Sequence, residues 1–318
     1  MHLHTLPRAA EVRRAAKMAL ATGVASTFVF GAIGHAAVTP GTPKQVATLV
    51  AAAPSIRSLP SHLTPSLQNA ANDTAYLTTP KTAGCILGGS ELNCNFGDTK
   101  GPKTMVLVGD SHAYMWFPAF NAVAKSGKWK LVLLSMLGCP VANIDVWDPE
   151  TNKPYTACTS WRSTTIARIN KLDPALVVVA ETHNTEGADQ QAITNAQWQT
   201  AVEASLNSLD AKGMKKVLLS DTIAIPNPDV CLAANPTAVN KCSVPEANTV
   251  ETAQRATDAA AAKAKHTLYI NAIPWTCSKT CTAVIGNMVV YYSSQHLTAT
   301  YDTYLTRVLR RALAPDMR

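Results

Sequence analysis

Thr104-Met105-Val106-Leu107-Val108-Gly109-Asp110-Ser111-His112 is the stretch from which the rest of the chain is read. Four apolar residues, Met105 to Val108, have the length and character of a short buried strand. Gly109 and Asp110 break it, and an amphipathic segment opens near Ala113. A serine between a strand and a helix is held out of the sheet, at the end where open α/β sheets collect their ligands. Helix N-terminal N–H groups point at the same spot and can receive an oxyanion. Position alone makes Ser111 a candidate nucleophile. The plainer reading is a helix cap, because Asp and Ser are common N-caps.

Outward from this stretch, apolar strands alternate with helices. The strands are Met105–Val108, Trp129–Ser135, Ala175–Ala180, Lys216–Ser220 and Thr267–Ile270. The helices are Ala113–Ser126 (closed by Gly127), Trp161–Asn170, Asn195–Ala211, Ala247–Lys265 and Ala299–Leu313. Strands that are apolar throughout and alternate with helices form a parallel sheet covered on both faces. Five such units fit a flavodoxin-like, three-layer α/β/α sandwich with strand order 2-1-3-4-5. Polar loops follow the C-terminal ends of the strands, so that edge is expected to carry the site.

At 47% hydrophobic and 15% charged residues over 318 positions, the composition is globular and large enough for a sizeable core. Of the formal charge of +7, Arg8, Arg13, Arg14 and Lys17 against Glu11 supply +3, leaving +4 on the remainder. No dense basic patch remains, which argues against nucleic acid as a partner. Residues 1–37 are expected to be a signal peptide or single membrane anchor. Their basic start precedes an uncharged stretch from Met18 to Val38, with small residues at Gly34-His35-Ala36-Ala37 for cleavage. Residues 38–84, punctuated by Pro40, Pro43, Pro54, Pro60 and Pro65, read as a Pro/Thr/Ala-rich linker with one short helix near Pro65–Asn72. The compact domain is then 85–318.

All eight cysteines, Cys85, Cys94, Cys139, Cys158, Cys231, Cys242, Cys277 and Cys281, follow the targeting segment. Their even number suits an oxidising, extracytoplasmic compartment. Eight cysteines allow 105 pairings. The short intervals within neighbouring pairs suggest four sequential local loops. Zinc is the rival use of cysteine, but no C-x₂-C pair is present.

After the fifth strand comes Tyr291-Tyr292-Ser293-Ser294-Gln295-His296-Leu297-Thr298. His296 precedes the terminal helix at the same predicted edge as Ser111. A serine needs a base to remove its proton, and neutral imidazole is the usual one. Here the sequence resembles a known family. Gly109-Asp110-Ser111-His112 resembles block I of the SGNH hydrolase superfamily, and His296-Leu297-Thr298 its last block. The chain is most similar to the SGNH domain at the C-terminus of membrane acyltransferase-3 proteins. The likeness includes Leu63-Thr64-Pro65, Cys94-Asn95-Phe96-Gly97-Asp98 and Gly138-Cys139-Pro140, and spans about residues 60–310.

The resemblance implies the SGNH hydrolase fold and serine-dependent acyl-ester chemistry in the cell envelope, with no cofactor and no metal. Ser111 matches the nucleophile and His296 the general base. The backbone N–H groups of Ser111 and Gly138, with the Asn184 side chain from a broken block III, match the oxyanion donors. Ser111 would be acylated by an ester donor and then deacylated by a glycan hydroxyl or by water. A separate membrane acyltransferase is an implied partner. One departure stands out: Ser293 occupies the place of the triad acid, three residues before the histidine. Asp221, Asp302 and Glu181 are the candidate substitutes. A Ser–His dyad, or a weak site serving only as a glycan-binding accessory domain, are the alternatives. Asp110, His112, His183, Asp221 and His296 also suit a metallophosphoesterase, but the Gly-Asp-x-x-Asp and Gly-Asn-His motifs of such enzymes are missing. Trp116, Trp161 and Trp275 are candidate sugar-stacking rings, or core.

Overall fold

A computed structural model describes residues 38–74, 85–86, 88, 94–183 and 186–317. The expected targeting segment, the end of the expected linker and Asn184 lie outside the described residues. Six strands form the central sheet: β1 (Asn95–Gly97), β2 (Lys103–Gly109), β3 (Trp129–Ser135), β4 (Leu176–Ala180), β5 (Lys215–Leu219) and β6 (Leu268–Ile270). Their spatial order is β1-β3-β2-β4-β5-β6. The five strands β2 to β6 are parallel to their neighbours and follow the expected 2-1-3-4-5 order. Only β1 runs antiparallel, on the edge beside β3. Asn-Phe-Gly has no apolar run, which is why the sequence pattern does not mark it.

Alternate residues of the strands enter two separate cores, as the period of two requires. Met105 and Leu107 pack on one face with α1 (Pro43–Ala52), α2 (Ser111–Met115), α3 (Phe117–Gly127) and α7 (Ala299–Leu313). Val106 and Val108 pack on the other with α4 (Thr156–Leu172), α5 (Asn195–Ser208) and α6 (Val250–Ala264). Helices on both faces of a parallel sheet make the three-layer α/β/α sandwich.

Two expectations are corrected. The helix expected over 113–126 is two helices, with Trp116 between them. Pro118 has no N–H to offer the Tyr114 carbonyl, which instead accepts from Trp116 N. The described part of the expected linker is not a linker. Thr42 and Gln45 form a capping box that starts α1, with Pro43 in its first turn. Val46, Val50 and Ala53 are buried in the main core. Gly41 N bonds Tyr304 O, and residue 64 bonds the 287–289 segment. The helix near Pro65–Asn72 is present as Leu67–Ala70.

The four disulfides are Cys85–Cys94, Cys139–Cys158, Cys231–Cys242 and Cys277–Cys281, the sequential pairing that the intervals suggest.

Candidate active site

The register brings three strand ends level: Gly109 faces Ser135 on one side and Ala180 on the other. Only glycine fits at 109, because a Cβ there would overlap the Ala180 carbonyl oxygen. The chain then turns at once into α2. Asp110 is the N-cap and Ser111 the first helical residue. Asp110 is fully buried: it accepts from His112 N (2.8 Å) and Thr182 N (3.0 Å), and its carbonyl accepts from Ser135 Oγ (2.7 Å). It ties three strand ends together. Burial pushes its carboxyl up to about 6, against the pull of His112 and of both backbone N–H groups.

The second arm is the turn from Tyr291 to Leu297, whose ends pair across a bridge. Tyr292 N donates to His296 O (2.9 Å) and Thr298 N to Val290 O (2.9 Å). Ile225 N holds Ser294 O (2.8 Å), and Thr222 Oγ1 donates to Gln295 O (2.5 Å). Thr298 then caps α7, accepting from Tyr301 N (3.1 Å). The turn is therefore clamped from the loop after β5 before it hands over to the terminal helix.

Ser111 and His296 meet across this rim. His296 Nε2 lies 2.9 Å from Ser111 Oγ, and its Nδ1 lies 2.9 Å from Ser293 Oγ. A neutral imidazole carries one N–H; with it on Nδ1 facing Ser293, Nε2 accepts from the serine hydroxyl. Burial, and then the nearby His112, hold His296 well below the ordinary imidazole range. The ring is thus neutral at pH 7, the state a base needs. The Tyr292 ring stacks on it at 5.4 Å.

The three candidate acids go to three different places. Asp302 is buried and accepts from Ala119 N (2.7 Å), capping the start of α3. Glu181 accepts from Val141 N and from Ala142 N (3.1 Å), pinning the segment after Gly138; burial, then Asp110, push it up to about 8. Neither of these hydrogen bonds reaches His296. Asp221, just past β5, forms an ion pair with His112 Nδ1. The His112 ring lies 4.6 Å from that of His296, centroid to centroid, and Gln295 Nε2 is 3.3 Å from His112 Nε2. The sequence offers Asp221 as a partner for His296, and its contact with His112 goes unmarked there. The available signal is a histidine directly after the nucleophile and a carboxylate directly after an apolar strand at the same rim.

Gly138 lies in the loop after β3, at φ 68°, in the left-handed region that glycine favours. The ring of His183 stacks on Trp198 at 4.2 Å; burial lowers its pKa to about 4. Trp116 and Trp161 are buried in the two cores, and Trp275 meets Trp116 edge-on at 5.9 Å. Trp116 and Trp161 are thus core rings, whereas Trp275 is half-buried.

A family profile described as the SGNH domain fused to AT3 domains matches residues 77–311. The chain belongs to this family. No curated protein matches the sequence. Among solved structures, this SGNH domain is similar to the periplasmic domain of a lipopolysaccharide acetyltransferase from Salmonella ser. Paratyphi A. The TM-score is 0.52 at 12% identity, covering 74% of this chain and 86% of that one. A carbohydrate acetylesterase family member from Sinorhizobium meliloti matches with TM-score 0.43 at 11% identity, covering 68% and 99%. An acetyl-xylooligosaccharide esterase from Geobacillus stearmophilus matches with TM-score 0.40 at 10% identity, covering 69% and 96%. The first of these shares the SGNH fold; the other two overlap it more loosely.

Proposed function

We propose that this SGNH domain performs acyl-ester chemistry on a cell-envelope glycan through an acyl-enzyme on Ser111. One observation carries the reading: the 2.9 Å approach of Ser111 Oγ to Nε2 of a buried, neutral His296. Ser111 Oγ attacks the carbonyl carbon of an acyl ester as its proton passes to His296 Nε2. The oxyanion is assigned to the backbone N–H groups of Ser111 and Gly138, with Asn184 as the third candidate donor. Collapse breaks the ester C–O bond, and the leaving alkoxide takes the proton from His296. A glycan hydroxyl, or water, then gives its proton to His296 and removes the acyl group, restoring Ser111.

Family membership and the SGNH fold shared with an acetyltransferase's periplasmic domain support a short acyl group such as acetyl. Four disulfides support an extracytoplasmic location. Among the described residues no helix is long and apolar enough to cross a membrane. A membrane acyltransferase is the proposed source of the acyl donor, and the N-terminal segment the proposed signal or anchor.

Mass spectrometry after incubation with an activated acetyl ester tests the reading. An acetyl adduct on Ser111, absent from Ser111→Ala and discharged by water or by added glycan, is the expected result. An unmodified Ser111 overturns it. A second reading, a glycan-binding accessory domain, is favoured by Ser293 standing where the acid belongs. It predicts that Ser111→Ala leaves glycan binding and biological function intact.

A further inference from the structure

We infer that the carboxylate missing beside His296 has moved to Asp221, which acts at one remove, as a positioning residue, through His112 and Gln295. This rests on the acyl-enzyme reading above. Four contacts lead from Asp221 to the His296 turn. Its Oδ1 meets His112 Nδ1, fixing that ring from the far side. His112 Nε2 faces the Gln295 amide at 3.3 Å, one residue before His296. Thr222, whose N–H binds Asp221 Oδ1 at 2.6 Å, holds the Gln295 carbonyl at 2.5 Å. Asp221 thus grips the residue adjoining the base by a side-chain route and by a backbone route. Ser293 then needs only to accept the Nδ1–H of His296, a task for which a hydroxyl suffices.

Charge follows the same path. Asp110 and Asp221 face His112 from the ends of β2 and β5, and His296 faces it from the turn before α7. His183, Glu181, Asp258, Glu251 and the phenols of Tyr269, Tyr291 and Tyr292 are further titratable groups around this rim among the described residues. Burial lowers the His112 pKa, but the charge and hydrogen bond of Asp221, joined by the charge of Asp110, together outweigh it, so the net shift is upward. The structure sets Gln295 Nε2 against His112 Nε2; a protonated His112, which donates from Nε2, requires that amide to turn and present its oxygen. That cation in turn helps to hold His296 neutral. The two imidazoles titrate as a coupled pair in which His112 carries the first proton and leaves His296 free to act as base.

The test compares Asp221→Asn, Ser293→Asp and Asp221→Asn/Ser293→Asp with wild type, using acetyl-ester turnover across pH and the NMR signal of the His112 ring proton. Asp221→Asn is expected to lower kcat by between about 10-fold and the roughly 10⁴-fold that follows amidation of an acid touching the imidazole directly. KM is expected to hold, because Asp221 is inferred to act through His112 and Gln295 and not on the substrate. The acid limb of kcat/KM is expected to move to higher pH. Without Asp221, His112 loses its proton, its repulsion of His296 vanishes, and the His296 pKa rises. A purely structural lesion would lower the rate and leave that limb in place. Ser293→Asp, restoring a carboxylate at Nδ1, is expected to rescue Asp221→Asn and to gain less in the wild-type background, a non-additive cycle. The strongly deshielded His112 ring proton should disappear in Asp221→Asn, a readout independent of activity. A fall of less than about tenfold in a folded Asp221→Asn protein, or an unmoved acid limb, overturns the inference and leaves the acyl-enzyme standing. If wild-type Ser111 takes no acetyl group, both fall together.

Discussion

Glu181→Gln isolates one buried carboxyl and gives its charge state a measurable consequence. Glu181 is 6% exposed and sits at the end of β4. Burial, reinforced by Asp110 and Asp258, raises its pKa from 4.5 to about 8, against the backbone N–H groups of residues 141 and 142. The folded protein therefore binds a proton that the unfolded chain releases near pH 4.5. Stability supplied by this group is fully present below that pH and is lost as pH rises through about 8. Each tenfold change in an ionisation constant is worth ~1.4 kcal/mol, so the ceiling on the loss is about 5 kcal/mol. A glutamine is neutral at every pH and keeps a carbonyl oxygen for Val141 N and Ala142 N. The stability of Glu181→Gln relative to wild type should therefore climb between pH 5 and pH 9. Asp110 and Asp258 also titrate in this range, so wild-type stability alone would mix three carboxyls; the difference from the variant singles out one. Glu181→Ala behaves otherwise: it strands two buried N–H groups, at about 1–3 kcal/mol each, at all pH values. Urea unfolding at fixed pH steps, with disulfides intact, measures both. A Gln-minus-wild-type difference that stays flat from pH 5 to 9 would refute the reasoning, because the carboxyl would then ionise as freely folded as unfolded.

Three further outcomes are expected. Asp302→Ala should cost about 1–2 kcal/mol through the lost cap at Ala119, while acetylation of Ser111 per folded molecule is unchanged; a loss of acetylation would return Asp302 to the site. Val46→Asp should lower stability by on the order of 3 kcal/mol in urea, because Val46 is 1% exposed in the main core; a change within about 0.5 kcal/mol would restore the linker reading. Replacing both Cys139 and Cys158 by serine should cost about 3 kcal/mol in the chain-entropy model, read as a lower urea midpoint with a slope that does not fall.

The sheet is legible in the sequence because its strands are buried on both faces. Val106-Leu107-Val108 and Leu176 to Ala180 carry no polar residue to confuse the pattern, and the order of five parallel strands follows from the alternation with helices. Asn95–Gly97 is illegible for the opposite reason: an edge strand of three residues needs only backbone. The N-terminal helix is hidden by its prolines. Pro43 and Pro54 look like punctuation, yet Pro43 stands in the first turn, where a missing N–H costs nothing, inside a Thr-x-x-Gln box. Apolar residues at 46, 49, 50 and 53 carry a helical period that composition masks. In the site, Ser111 and His296 are readable because each stands directly beside an element boundary. The partners of the acids are not, because which segment Asp302, Glu181 and Asp221 each meet (the start of α3, residues 141–142 and His112) is a matter of distances that one sequence does not state.

That rim also explains how an acid can leave its usual place without the base losing its orientation. The His296 turn is held by the Thr222 hydroxyl, the Ile225 N–H and the side chain of Ser293, so its geometry does not depend on a carboxylate at 293. What a neutral hydroxyl cannot supply is charge. Charge, unlike a hydrogen bond, acts across several ångströms in a buried site of low effective dielectric. The ends of β2 and β5 already bring Asp110 and Asp221 to one histidine, and the end of β4 sets Glu181 near Asp110. Of the three, Asp110 and Glu181 are pushed towards protonation, chiefly by burial. Asp221 alone has an imidazole as its ion-pair partner, and that partner lies ring to ring with the base. A sheet that gathers strand ends so closely can shift the source of charge from one loop to the next while Ser111 and His296 stay where the backbone puts them.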